Sequence, residues 1–209
     1  RKAGHFVIVR VDANGERIPL TIADSDPEKG TITLVIQRIG ASSTKITNLN
    51  VGDELLDVVG PLGKATHIDK FGTVVCSGGG VGVAPLLPII KAMKAAGNKV
   101  ISVLAARTKD LVILEEQVRE YSDEVVIMTD DGSYGKAGRV TDGIEEIAKR
   151  EKIDLCVTIG PAIMMKFVSL LTKKYDIPTV ASLNTIMVDG TGMCGACRVS
   201  VGGKTLFTC

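Results

Sequence analysis

The sequence predicts a small antiparallel β-barrel, then an α/β domain built on a parallel sheet, then a short cysteine-bearing segment. Three observations carry this. Up to about residue 70 the chain runs in short β-like stretches broken by turn residues, the rhythm of an antiparallel barrel. From Thr73 onward strand-like and helix-like stretches alternate, which implies right-handed crossovers and a parallel sheet covered on both faces. Beyond Asn184 the alternation lapses into a glycine and cysteine segment too short to form a domain. The predicted boundaries are therefore 1–70, 71–184 and 185–209.

In the first part, strands are expected at Phe6 to Val11, Ile18 to Ala23, Thr31 to Ile39 and Glu54 to Val59. The runs Asp12 to Gly15, Asp24 to Gly30 and Val51 to Asp53 separate them, each rich in residues that tolerate left-handed backbone or bond their own main chain. In the second part, the strand candidates are Thr73 to Ser77, Val100 to Ala105, Val125 to Thr129, Leu155 to Ile159 and Thr179 to Ser182. Between them lie helical stretches at Ala84 to Ala96, Leu111 to Tyr121, Thr141 to Lys149 and Ala162 to Lys174.

Composition narrows the function. An apolar content of 45% beside 23% charged residues describes a soluble, well-cored protein. The 25 basic and 24 acidic residues are interspersed and aromatics amount to 3%, so neither a nucleic-acid groove nor a base-stacking platform is expected. No apolar run has the length of a membrane span or the layout of a signal peptide, and the expected location is the cytoplasm. Both ends of the chain read as cut, with no initiator methionine before Arg1 and a cysteine as the last residue.

The stretch Thr73 to Gly97 reads as strand, glycine turn and helix, with glycines at 78, 79, 80 and 82 and Pro85 at the expected helix start. Such glycines allow positive φ and direct approach of a ligand to the backbone, and helix-start amides favour a phosphate. The pattern Gly80-x-Gly82-x-x-Pro85 departs from the dinucleotide fingerprint by its proline, which a first helical turn accommodates. Gly79, Gly80, Val81 and Gly82 are thus candidate nucleotide contacts. Loops after the following strands should reach the same sheet edge, adding Ala106 and Arg107, Asp130 and Asp131, and Gly160, Pro161 and Met164. Arg107 stands where an NAD site commonly has an acidic residue, which leaves NAD against NADP open.

The tail carries the most specific chemical signal. Asp189, Cys194, Cys197 and Cys209 are spaced D-x4-C-x2-C-x11-C, matching the plant-type [2Fe–2S] pattern with aspartate in the first ligand position. Glycines at 190, 192 and 195 would let the loop wrap a cluster and aim N–H groups at its sulfurs. A zinc ion on the same four donors is the alternative. Cys76 and Cys156 lie within apolar strands and read as core residues. In the barrel, Arg17 with a hydroxyl four residues on, and the run Gly40 to Thr44, are weaker candidates for holding a pyrophosphate.

Beyond these local readings, the order of barrel, Gly78 to Pro88 loop and cysteine tail resembles the ferredoxin–NADP reductase superfamily. The stretches Ala3 to Arg10, Arg17 to Ile22, Gly60 to Gly63, Ala105 to Asp110, Thr129 to Ser133 and Ser182 to Arg198 resemble the small subunit of NADH-dependent reduced ferredoxin:NADP oxidoreductases. They also resemble sulfide dehydrogenase subunits and the electron-transfer subunits of dihydroorotate dehydrogenase B. The resemblance implies FAD in the barrel, with Arg17 near the pyrophosphate and Pro19, Leu20 and Thr21 along the isoalloxazine. It implies Val35, Ile36 and Gln37 beside the ring, and Gly40, Ser43 and Thr44 on the phosphates. It further implies NAD(H), or NADP(H), against the glycine loop, and a [2Fe–2S] cluster on Asp189, Cys194, Cys197 and Cys209. Aspartate in the first position follows the bifurcating reductase, since dihydroorotate dehydrogenase relatives have cysteine there.

The sequence departs from the family by lacking its usual first barrel strand and anything after Cys209, and by a phosphate turn at Ala41 to Ser43 poorer in glycine. The implied partner is a larger flavin and iron–sulfur subunit, similar to a glutamate synthase small subunit, that exchanges electrons with ferredoxin. Thr21 is the residue expected to tune the flavin. The rival expectation is a nucleotide-binding module without turnover, stapled by zinc.

Overall fold

The computed structural model describes residues 1–209 and divides into two compact units, Arg1–Thr66 with Asn184–Cys209, and His67–Leu183. In the first unit, strands β1 (Phe6–Arg10), β2 (Ile18–Asp26), β3 (Thr31–Leu34) and β4 (Asp57–Leu62) form an antiparallel sheet in the order β3-β2-β1-β4. The expected barrel is therefore present as an open, barrel-like sheet whose edges are β3 and β4. Alternation sorts its side chains: Val7, Val9, Ile18, Leu20 and Ile22 pack with Leu34, Ile46 and Leu55 on one face. Phe6 and Ile8 point to the other face, where they pair with Thr21 and Pro19.

This unit differs from expectation in its third strand, in a helix and in the tail, and β2 and β4 run three residues further than expected. The third strand stops at Leu34 rather than Ile39, and Ala41–Thr47 forms a short helix, α1. Ser43 explains the helix, because its Oγ accepts the N–H groups of Ile39 and Gly40 at 3.0 and 2.9 Å and so closes the first turn. The tail is also more regular than its glycine and cysteine content predicts. Strands β11 (Arg198–Val201) and β12 (Lys204–Phe207) form a hairpin across Gly202 and Gly203, whose φ angles of +57° and +77° suit a two-residue turn of the primed type.

The second unit holds β5 (Thr73–Gly79), β6 (Lys99–Ala106), β7 (Glu124–Thr129), β8 (Lys136–Ala137), β9 (Leu155–Ile159) and β10 (Thr179–Ala181), ordered β10-β9-β5-β6-β7-β8 and all parallel. Helices α4 (Val140–Arg150) and α5 (Ala162–Lys174) cover one face, burying Ile144, Ile147 and Val168 against Val75, Ile101 and Cys156. Helix α2 (Val83–Ala95) covers the other, with Leu86, Ile90 and Met93 fully buried. It begins one residue before the expected Ala84, so Pro85 sits third in the first turn, where its missing N–H still costs no helix bond. Helix α3 spans only Glu115–Glu120, because Leu114 adopts φ +56° and breaks the run expected from Leu111. No helix is long and apolar enough to cross a membrane.

Two carboxylates close the amino-terminal edge of the parallel sheet. Asp154 Oδ2 accepts the Thr73 N–H at 2.9 Å, and Asp123 Oδ2 accepts the Val100 N–H at 2.8 Å. Their pKa values are lowered, by the bonds from Lys152 and Lys94 respectively and then by those backbone donors. A carboxylate depressed in the folded state stabilises above its unfolded pKa of about 4 and loses that contribution as pH falls through and below it. The urea midpoint should thus fall between pH 6 and pH 3, and less steeply in an Asp154→Asn, Asp123→Asn double variant. Equal slopes for variant and wild type would contradict this assignment.

Candidate functional site

In the second unit the strand order places β6, β7 and β8 on one side of β5 and β9 and β10 on the other, so the crevice between β5 and β9 is a topological switch point. Gly79 to Gly82 and Gly160 to Met164 line it. Their glycines have separate physical reasons. Gly78 turns toward α2, where an added Cβ would lie 3.0 Å from both Leu86 and Val83. On the other face, a Cβ on Gly79 would collide with the Met164 sulfur, and one on Gly160 would lie 2.7 Å from Met164 Cε. A Cβ on Gly82 would stand 2.5 Å from the Ile159 carbonyl oxygen. Of the four loop glycines only Gly80 has positive φ, at +54°, with open space around it. Of the expected conformational freedom, positive φ is used at Gly80 alone, while the absence of a side chain at Gly78, Gly79 and Gly82 permits close packing.

The neighbouring loops meet at the same carboxyl edge, over β6 and β7. Asp130 N–H donates to the Ala106 carbonyl at 3.1 Å and Asp131 N–H to that of Arg107 at 3.3 Å. Ser133, not singled out from the sequence, ties the two loops: its Oγ accepts the Lys109 N–H at 2.9 Å and donates to Asp131 Oδ1 at 2.7 Å. The Asp131-Gly-Ser133 spacing was the available signal, an acceptor two residues before its donor. That hydroxyl, with the Ser133 N–H, holds the Asp131 carboxyl below the usual carboxylate range. Asp131 thus braces the loop, while Arg107 and Asp130 are exposed at the edge. A surface hollow of about 390 Å³ near Thr172, Lys173 and Thr179 lies at the opposite, amino-terminal end of β10 and includes none of these residues.

In the first unit, Pro19 and Thr21 share a sheet face with Phe6 and Ile8, two residues apart along β2, and the exposed Arg17 precedes the strand. The Leu20 side chain points the other way and packs against Val7, Val9 and Ile22, leaving its main chain on the strand between Pro19 and Thr21. Val35 and Ile36 are half-buried and Gln37 exposed, in the irregular segment after β3. Gly40, Ser43 and Thr44 open helix α1 instead of a loose turn, and the Ser43 hydroxyl is engaged with Ile39 and Gly40.

The tail lies on the face of Phe6 and Ile8. A Cβ on Gly190 would be 3.0 Å from Ile8, 3.1 Å from Leu62 and 3.2 Å from Phe6, and Lys64 N–H donates to the Cys209 carbonyl at 3.1 Å. Asp189 accepts N–H bonds from Thr191 at 2.8 Å and Cys194 at 3.0 Å, and these lower its pKa, Thr191 contributing most. The hairpin returns the chain so that Thr208 N–H bonds the Cys197 carbonyl and the Cys197 and Cys209 sulfurs stand 3.2 Å apart. Burial opposes ionisation of both thiols; N–H and S–H bonds from Cys209 outweigh it at Cys197, whose pKa is lowered, while that of Cys209 is raised. Cys194 is exposed, and no three of the donors converge on one point. Cys76 and Cys156 are fully buried, and burial pushes the Cys156 thiol up to about 12.

Residues 77–170 match the oxidoreductase NAD-binding domain family. Fold and match together define the second unit as the nucleotide-binding part of an oxidoreductase. Over 208 residues the chain is 49% identical to a dihydroorotate dehydrogenase B (NAD(+)) electron transfer subunit homolog of Thermotoga maritima, covering 100% of this chain and 73% of the relative. It is 35% identical over 210 residues to the dihydroorotate dehydrogenase B electron transfer subunit of Bacillus caldolyticus, covering 98% and 79%. The chain belongs to this family of electron-transfer subunits and their homologues. Among solved structures it is similar to an NADH-dependent reduced ferredoxin-NADP oxidoreductase studied for flavin-based electron bifurcation, with TM-score 0.94 and 47% identity over 100% of this chain and 75% of that one.

The glycine geometry separates two substitutions. Gly80→Ala meets no atoms and should cost roughly 1–2 kcal/mol, from the left-handed backbone alone. Gly82→Ala forces the β5 and β9 loops apart and should lower the melting temperature further while weakening NADH binding in calorimetry. A Gly82→Ala protein as stable as Gly80→Ala would contradict the packing role.

Proposed function

We propose that this chain is an electron-transfer subunit that takes electrons from NADH, passes them through FAD held on the first unit and a [2Fe–2S] cluster held by its tail, and delivers them to a larger partner subunit. The observation that carries the reading is that the four donors Asp189, Cys194, Cys197 and Cys209 lie in a segment docked on the same sheet face as Pro19 and Thr21, in a chain that also has an NAD-binding domain. A bound flavin can accept a hydride pair and release electrons singly to an iron–sulfur centre, which is the conversion such a set of sites requires.

The spacing of the four donors, which follows the plant-type cluster pattern with aspartate first, supports two irons over one zinc. A single zinc ion needs four donors at about 2.0–2.3 Å from one point. Here the sulfurs of Cys197 and Cys209 meet as a pair, and Asp189, whose charge reaches Cys209, accepts the Cys194 N–H. Cys209 N–H also points at the Cys197 sulfur at 3.4 Å, the kind of bond that tunes a cluster.

The roles of the chain's own residues follow. Arg17 supplies positive charge for the flavin pyrophosphate, and Pro19, the Leu20 backbone and Thr21 flank the ring, with Val35, Ile36 and Gln37 beside it. Gly40, Ser43 and Thr44 are the remaining candidates for the phosphates. On the second unit Gly79, Gly80, Val81 and Gly82 take the nucleotide phosphates with Gly160, Pro161 and Met164, and Ala106, Arg107, Asp130 and Asp131 take the ribose side. The partner is a larger subunit with its own flavin and iron–sulfur centres that exchanges electrons with ferredoxin. Asp189 supports a bifurcating oxidoreductase, whereas the names of the relatives support a dihydroorotate dehydrogenase B subunit, whose family resemblance calls for cysteine at that position.

Protein purified without oxygen should be brown and contain about one flavin, two irons and two sulfides per chain. Colourless protein with stoichiometric zinc would overturn the reading. Thr21→Ala should keep its flavin and slow flavin reduction by NADH roughly five- to tenfold, the worth of one hydrogen bond of about 1 kcal/mol. Unchanged hydride transfer in stopped flow would remove Thr21 from that role.

A further inference from the structure

We propose that Thr158 binds the carboxamide of the nicotinamide: its buried hydroxyl, on β9 beneath the crevice between β5 and β9, bonds that group once the Met164 side chain turns aside. The inference rests on the reading of this crevice as an NAD site. Five hydroxyl side chains are buried in the second unit, and four of them are bonded within the protein. Ser77 Oγ donates to the Val157 carbonyl at 3.3 Å, and Ser102 Oγ meets Ser122 Oγ at 2.7 Å. Thr129 Oγ1 donates to the Tyr134 carbonyl at 2.7 Å, and Thr172 Oγ1 accepts from Thr179 at the same distance. Thr158 Oγ1 has no partner, although the residue is 0% exposed. Such a hydroxyl works against folding, and a valine would fill the same shape without that cost.

Strand register places the group. Thr158 lies between Ser77 on β5 and Ala181 on β10. Cys156, two residues earlier, packs in the core beneath α4 and α5, so Thr158 faces that side of the sheet as well. Two residues further on, at the carboxyl edge, come Gly160 on β9 and Gly79 on β5, and a Cβ on either would collide with Met164. Neither strand thus sets a side chain of its own between Thr158 and the edge. The space there is filled by a thioether with three rotatable bonds, which repacks easily. With the phosphates at the glycine loop and the ribose side over β6 and β7, the opposite end of the dinucleotide falls on the β9 side. That end carries an uncharged amide. A lone hydroxyl suits it, since it can donate to the amide oxygen or accept from the amide nitrogen, whereas a buried phosphate would need charge that Thr158 lacks.

The test measures two ligands by calorimetry on the whole oxidised protein: NAD(+), which carries the carboxamide and delivers no hydride, and ADP-ribose, which lacks the nicotinamide. Thr158→Val should weaken NAD(+) binding by roughly five- to tenfold, the loss of one hydrogen bond, and leave ADP-ribose binding as it was. Thr158→Ser, which keeps the hydroxyl, should restore most of the NAD(+) affinity. The valine variant should also melt no lower than wild type, because no bond inside the protein is lost. Unchanged NAD(+) affinity in Thr158→Val, an equal loss for both ligands, or a lowered melting temperature would each overturn the assignment. Wild-type protein that binds neither ligand would remove the NAD reading and this inference together, whereas wild-type binding of both ligands with no effect of the valine sinks the role of Thr158 only.

Discussion

A backbone without a side chain at residue 190 lets the last segment of the chain lie directly on the sheet made by its first. Any Cβ there would press on Phe6, Ile8 and Leu62, three apolar side chains from β1 and β4. With Gly190 seated and the Cys209 carbonyl bonded by Lys64, both ends of the donor loop are tied to the same small sheet. The hairpin between them needs no core of its own. Its strands are mostly exposed, and its order comes from the ladder, the two-glycine turn and those two anchors. The position of Asp189, Cys197 and Cys209 is therefore a consequence of packing against residues at the far end of the sequence.

The second unit solves a related problem with the same residue. Two loops must reach one crevice at the carboxyl edge of the sheet, and the space between them is limited by the spacing of β5 and β9. Gly79, Gly82 and Gly160 remove side chains where the loops touch each other, Met164 or a carbonyl oxygen. Gly80 differs from them in having a left-handed backbone and open space beside it. A glycine-rich loop at a switch point thus also serves packing, by removing side chains where two loops meet.

Much of this was legible in the residues. The five parallel strands from Thr73 to Thr179 announce themselves as apolar runs of strand length, because strands buried on both faces have no alternation to hide. Less legible were the elements set by side-chain bonds or by single backbone conformations. Ser43 closes the first turn of helix α1 where a turn alone was expected, and Leu114 cuts α3 to six residues through a conformation its type rarely adopts. The hairpin was readable in principle, since Val199, Val201, the glycine pair and Leu206 make a turn flanked by alternating apolar residues. The cysteine spacing that overlies it is the louder signal in the same residues.

By itself the sequence determined the identity and order of the chemical groups: a glycine loop after an apolar strand, then one carboxylate and three thiols at fixed intervals. Those depend only on local residue types and on distances along the chain. Which thiols meet, which face of β2 is turned toward the tail, and which glycines are packed against neighbours were decided by tertiary structure. Each of these depends on contacts between segments far apart in sequence, Leu20 against Thr21 on opposite faces of one strand and Cys197 beside Cys209 across a hairpin. Periodicity can say that faces alternate, but only the packed neighbours say which face is the inner one.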